Sequence, residues 1–156
     1  MKNKEKTALQ QAIYYAKAPI IIALILTPVR YGLELLGLPE NAIFIIGLLW
    51  LTLGIAIYLG IKLGNQKQAY KILLLSLLIY SPISRIPVAI LWWVDTKWEI
   101  GTHYGLYYDN FGQALLNHVI YGSLVQLVPG FLLGIVTITI MRYRKTLTKN
   151  KPLENG

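Results

Sequence analysis

Arg85 lies between two prolines in a stretch that is otherwise almost entirely apolar, LLLSLLIYSPISRIPVAILWWV, residues 73–94. A charged side chain within hydrocarbon costs several kcal/mol unless it is paired or hydrated. Pro82 and Pro87 each remove a backbone donor and clash with the carbonyl four residues earlier. The pattern predicts a kinked helix with a polar pocket around Arg85.

A counter-ion for this arginine is available on another apolar segment. Arg30 and Glu34 are four residues apart, so they share one face of a helix. If that helix ends near Leu38, both side chains lie at about the depth of Arg85. We therefore expect Glu34 to pair with Arg85 across two helices, with Asp95 as a second carboxylate within reach.

Two further polar residues open the last apolar segment of the chain. Asn117 and His118 place an amide and an imidazole at a similar depth. Polar groups inside membranes are more often functional than those in soluble cores. We predict a ligand-binding polar pocket that opens outward and is formed by Arg85, Glu34, Arg30, His118, Asn117 and Asp95. The alternative is a buried network that only determines how the helices pack.

The segment 95–112 is too long and too aromatic to be a minimal helix connection. We expect it to lie in the headgroup layer above the pocket. Trp92, Trp93 and Trp98 are expected to anchor the outer membrane boundary, where tryptophan is enriched.

Metal and cofactor chemistry finds little support in the residues. The chain has no cysteine, which excludes thiolate metal sites, Fe–S clusters and cysteine nucleophiles. Asp95, Glu99 and His103 would share one helical face at steps of four, but Gly101 makes a continuous helix there doubtful. No phosphate-binding loop, dinucleotide fingerprint or hydrolase elbow occurs. We expect no metal and no cofactor.

These residues are consistent with three kinds of function. The first is binding or moving an amphipathic or anionic molecule, or assisting a larger membrane complex. The second is an intramembrane enzyme acting on a lipid or lipid-linked phosphate, with Arg85 and Arg30 holding phosphate and His118 or Asp95 as acid or base. The third is a structural membrane subunit whose polar layer is packing. The missing catalytic motifs favour a non-enzymatic role.

The elements that must position these side chains are apolar helices. Hydrophobic residues make up 55% of the chain and charged residues only 14%, well below the quarter that soluble domains carry. A helix needs roughly 20 apolar residues to cross the bilayer core. The pattern predicts an all-α integral membrane protein, a single membrane domain over 1–156. Its four transmembrane helices are expected at about 12–38, 42–61, 72–94 and 113–141, followed by a basic tail, 142–156.

Charge is distributed unevenly about these segments. All of the 15 Lys and Arg residues except Arg30, Arg85 and Lys97 fall at one end of the predicted bundle. By the positive-inside rule both termini are cytoplasmic, and the plasma membrane is the expected location. Topology thus explains the net charge of +8, and we expect no nucleic-acid partner. The expected partners are membrane lipids, with either a second copy of the chain or a larger membrane complex.

The second helix carries Thr52, Ala56, Gly60 and Gly64 at steps of four. Such a stripe of small residues lets another helix approach closely. We expect it to pack within the chain rather than to form a dimer interface.

The predicted topology is testable with reporter fusions. A cytoplasmic reporter at the C-terminus and an extracellular reporter inserted near Gly105 should both be active, because four spans return the chain to its starting side. The opposite activity at either position would exclude the four-span arrangement.

Overall fold

The computed structural model describes residues 6–149, which are helical apart from short connections and contain no strand. The α-helices are α1 (Ala8–Leu35), α2 (Glu40–Ile45), α3 (Leu48–Leu63), α4 (Ala69–Trp98), α5 (Phe111–Leu116) and α6 (Gly122–Lys149). A 3₁₀ turn, His103–Gly105, follows α4, and a π-helical segment, Asn117–Tyr121, joins α5 to α6.

Four helical stretches are long and apolar enough to cross a membrane: Ala8–Leu35, Asn41–Leu63, Ala69–Trp98 and Phe111–Thr148. This confirms the prediction of four apolar helices. The helices extend beyond their apolar cores, since polar residues at the ends also adopt helical conformation. The predicted basic positions Lys2, Lys4 and Lys151 lie outside the described residues.

Helix α4 is the centre of the bundle. It packs against α1, α3 and α6, whereas α1 and α6 share few contacts with each other. Its spanning segment is accordingly the most buried of the four.

Small side chains permit the two closest helix pairings. Helix α1 faces α4 with a row of residues at steps of three or four: Ala8, Ala12, Ala16, Pro19, Ala23 and Thr27. On α3, Gly60 is so close to α6 that a Cβ there would stand 2.6 Å from the Cβ of Thr137. A Cβ at Gly64 would stand 2.7 Å from that of Met141. The stripe therefore packs within the chain, as predicted.

Helix α4 continues without a break through Pro82 and Pro87. Neither proline has an N–H, so the carbonyls of Leu78 and Ile83 lack their usual helical donors. Neighbouring helices can support such freed carbonyls in a membrane protein.

Part of the outer connection folds onto the bundle, since Tyr104 is only 4% exposed and Thr102 is also buried, whereas Leu106, Tyr107 and Phe111 are exposed. Trp92, expected at the membrane boundary, is buried too, whereas Trp93 and Trp98 are exposed. Hydrophobic length alone does not separate a residue facing lipid from one facing a neighbouring helix.

The α3–α6 contact generates a prediction with a control on the same helix. Gly60→Ala should destabilise the bundle by about 1–3 kcal/mol, because the new methyl forces α3 and α6 apart. At Gly54 a Cβ meets nothing within 4 Å, so Gly54→Ala should be neutral or stabilising by up to about 1 kcal/mol. Thermal unfolding in detergent measures the stability of both variants. Equal destabilisation by the two substitutions would contradict the close packing of α3 against α6 at Gly60.

Candidate functional site

Arg85 has an amide as its partner instead of a carboxylate. The oxygen of the fully buried Gln126 side chain, on α6, accepts from Arg85 Nε at 2.9 Å and Nη2 at 3.1 Å. This orientation is required because a guanidinium can only donate. The amide nitrogen then donates to Ser84 Oγ at 3.2 Å, and Ser84 donates to the carbonyl of Ser81 at 2.8 Å.

The backbone of Gly122 makes room for this arginine. A Cβ at Gly122 would lie 3.3 Å from both Cζ and Nε of Arg85, so the guanidinium rests directly against α6. Gly122 and Gln126 are one helical turn apart and thus form one face against Arg85.

Arg30 approaches the same region from α1. Its Nε is buried without a hydrogen-bond partner, and its charge is near enough to Arg85 for the two to repel each other. Among the described side chains, Glu34 and His103 form the only contact between a carboxylate and a basic residue, so no carboxylate described there forms an ion pair with either arginine. Two guanidiniums thus share a partly buried region with no bound counter-charge from the protein.

Tyr104 enters this region from the 3₁₀ turn. Its hydroxyl is buried without a hydrogen-bond partner. Burial has the largest effect and raises the pKa of this hydroxyl. The positive charges of Arg30 and Arg85 lower the pKa and the negative charge of Glu34 raises it, and the net shift is upward. The hydroxyl therefore stays protonated and can donate.

His118 completes the group, which we call the arginine site: Arg30, Arg85, Tyr104 and His118. Its Nε2 is also buried without a partner, and its ring packs edge-on against Tyr108 at 5.2 Å between centroids. His118 lies on the π-helical segment, a feature that is frequent at functional sites.

Glu34 pairs with His103, which overturns the expected Glu34–Arg85 pair. One carboxylate oxygen accepts from the His103 backbone N–H at 2.7 Å, and the other contacts His103 Nδ1. The physical reason is that both carboxylate oxygens of Glu34 are already engaged by His103 in the turn that follows α4.

Asp95 does not pair with Arg85. It holds in place residues 102–105, which we call the outer turn. The hydroxyl and backbone N–H of Thr102 donate to its Oδ1 at 2.9 and 3.1 Å, and Tyr31 Oη donates at 3.4 Å. A Cβ at Gly105 would collide with the other oxygen, Oδ2, so glycine is needed there. Asp95 is 2% exposed and acts as an anchor for the turn that carries Tyr104.

The six predicted residues thus fall into three groups. Arg30 and His118 both lie within electrostatic range of Arg85. Glu34 and Asp95 support the turn above them, and Asn117 donates to the carbonyl of its own helix at Gln113, 2.8 Å away. Sequence reasoning did not assign Tyr104 to the site and did not pair Gln126 with Arg85.

The signal for Gln126 was present in the sequence. It is a lone amide in an apolar helix antiparallel to α4. Tyr104 gave no such signal, because the loop contains several tyrosines and their directions depend on its fold.

Metal binding at the outer turn has no geometric support in the described residues. Between residues 6 and 149, no three His, Asp or Glu side chains are grouped to hold an ion. Asp95 and His103 are engaged as above, and Glu99 is exposed.

The structure defines an all-helical chain with four helices able to span a membrane and a partly buried cationic site in one half of the bundle. No family model, curated protein or solved structure matches this chain.

The Glu34–His103 pair generates a prediction for a double-mutant cycle. Glu34→Gln and His103→Asn should be non-additive by about 0.5–3 kcal/mol, since each removes the same contact. Glu34→Gln should also speed hydrogen exchange at the 103–105 turn. As the control pair, Glu34→Gln and Arg85→Gln should be additive. Coupling of Glu34 to Arg85 and not to His103 would restore the original expectation.

Proposed function

We propose that this chain is an integral protein of the plasma membrane, with both termini cytoplasmic, that binds the anionic group of an amphipathic molecule at the arginine site. The membrane location is supported by the four long apolar helices and by the many large apolar side chains exposed on their surfaces. The orientation is supported by the concentration of Lys and Arg at the opposite end from Arg85.

The observation that carries the proposal is the excess of donors over acceptors. Arg30 and Arg85 lack a carboxylate partner among residues 6–149, and two nearby polar atoms, Tyr104 Oη and His118 Nε2, are buried without partners. Arg30 Nε can only donate, and the protonated tyrosine can donate as well. A phosphate or carboxylate would supply the missing acceptors and the missing negative charge together.

The arrangement assigns a role to each side chain. Gln126 takes two of the five N–H donors of Arg85 and leaves the others for a ligand. Arg30 supplies the second positive charge, and Tyr104 and His118 supply uncharged hydrogen bonds. Planar guanidinium groups suit phosphate and carboxylate oxygens because they can bind two of them at once.

We further propose that α4 bends at Pro82 and Pro87 and that the bend keeps the pocket open toward the outside. The missing N–H groups at both prolines support this, because they weaken the helix on either side of Arg85. Transport of the anion, sensing of it, or assistance to a larger membrane complex are the roles that such a pocket could serve.

A second candidate, an intramembrane enzyme acting on a lipid phosphate, is favoured by one observation. Glu34 binds Nδ1 of His103 and thereby orients the ring, which leaves Nε2 of His103 for proton transfer. His103 lies near His118, beside the arginine site. His103 is thus a better acid–base candidate than His118 or Asp95.

Titration with n-dodecyl phosphate tests the binding proposal. In dodecyl maltoside, the phosphate should stabilise the wild-type protein by about 2.7 kcal/mol at 100 times its dissociation constant. Arg85→Gln and Arg30→Gln should lose most of this stabilisation. Arg144→Gln, at an exposed arginine in the basic end of α6, is the matched control and should retain it.

Thermal unfolding and circular dichroism of each variant without ligand would separate loss of binding from loss of folding. Arg30 is the safer variant, because its Nε has no protein partner to lose. Equal stabilisation of all four proteins, or stabilisation by the cationic dodecyltrimethylammonium as well, would contradict the proposal.

A further inference from the structure

An apolar groove of about 160 Å³ runs between α4 and α6 beside the arginine site. It is lined by Leu78, Ser81, Pro82, Val119, Ile120, Ser123, Leu124 and Leu127. At about 30 Å³ per water molecule, this volume equals roughly five waters. Such a space fits part of one alkyl chain and is too small for a fused ring system.

The groove is continuous with the surroundings of Arg85. Ser81 precedes Arg85 by one helical turn, and Ser123 follows Gly122, which contacts the guanidinium. Helices α4 and α6 run in opposite directions in the proposed topology. The groove therefore extends from the level of Arg85 toward the N-terminal end of α4, reaching Leu78 about 10 Å away along the helix.

One side-chain hydroxyl and one backbone carbonyl give this apolar groove a polar end. The hydroxyl of Ser81 is buried without a hydrogen-bond partner, and Ser81 is 1% exposed. The carbonyl of Leu78 lacks its helical donor because Pro82 has no N–H. A hydroxyl in this setting gains from an acceptor, since an unpaired buried polar group is costly.

We propose that the ligand is a glycerophospholipid, held with its phosphate at Arg85 and Arg30 and one acyl chain in the α4–α6 groove. This inference rests on the proposed anion-binding function and names its ligand class. Ser81 lies about 6 Å along the helix from Arg85, which matches the glycerol unit between a phosphate and an acyl ester. The ester carbonyl accepts the hydrogen bond from Ser81.

Charge complementarity supports this occupant. A cationic site at one end and an apolar groove at the other match the two parts of a phospholipid. The groove opens on the surface of the bundle between α4 and the helical segment 119–127, so the lipid approaches it sideways from the membrane.

Photolabelling in nanodiscs tests the inference. The probe is phosphatidic acid with a diazirine in one acyl chain, at low abundance in phosphatidylcholine; the neutral comparison is phosphatidylcholine with the same diazirine chain. Mass spectrometry should locate the phosphatidic acid label at Leu124, Leu127 or Leu78, well above the neutral probe. Arg85→Gln should lower this labelling about tenfold, the effect of losing one charge-assisted hydrogen bond.

Two tryptophan variants, one in the π-helical segment and one on α6, separate the groove from the rest of the membrane surface. Ile120→Trp fills the groove from a position that is 51% exposed and should abolish labelling there. Val125→Trp, at a position 59% exposed outside the groove, should leave it unchanged. Ser81→Ala should reduce labelling without altering stabilisation by n-dodecyl phosphate, which has no acyl ester carbonyl.

The possible failures are distinguishable. If n-dodecyl phosphate still binds in an Arg85-dependent way while Ile120→Trp leaves labelling intact, the groove assignment is wrong and the anion site stands. If stabilisation by free inorganic phosphate equals that by n-dodecyl phosphate, the ligand is a soluble anion and the lipid inference fails. Equal groove labelling by the neutral probe would show ordinary surrounding lipid, and loss of all Arg85 dependence would overturn both proposals.

Discussion

The rest of the structure depends on how one guanidinium is accommodated among apolar helices. Arg85 lies near the middle of α4, and α4 is the helix on which the other three pack. Hydrocarbon cannot solvate its charge, so partners must come from neighbouring helices. Gln126 and the open backbone at Gly122 supply them from α6, which fixes how α4 and α6 are aligned.

An amide partner has a different consequence from a carboxylate partner. A carboxylate would neutralise Arg85 and complete a closed ion pair, whereas Gln126 leaves the full positive charge in place. Arg30 adds a second charge that repels the first. The described part of the bundle thus retains two positive charges that form no ion pair with a carboxylate. A purely structural network is expected to balance its charges internally, whereas the two arginines have no ion-pair partner among the described side chains.

The outer turn shows how the acids are used instead. Asp95 binds Thr102, and Glu34 binds His103. The two carboxylates thereby orient Tyr104, the next residue of the same turn. The same contacts place a tyrosine hydroxyl beside the arginines and cover the bundle end. Asp95 and Glu34 therefore position Tyr104 without forming an ion pair with either arginine.

The sequence by itself determined the class of fold and the general location of the polar residues. Apolar runs of spanning length predict four helices, and a small-residue stripe predicts close packing, because both depend on local composition and helical periodicity. Which helices the stripe joins, and which polar groups meet, depended on the tertiary structure. Glu34 meets His103 instead of Arg85 because the turn after α4 folds back onto the end of α1, and only the packed bundle decides that contact. Gln126 and Tyr104 reach the arginines through helix alignment and loop direction, which arise from contacts between residues far apart in the chain.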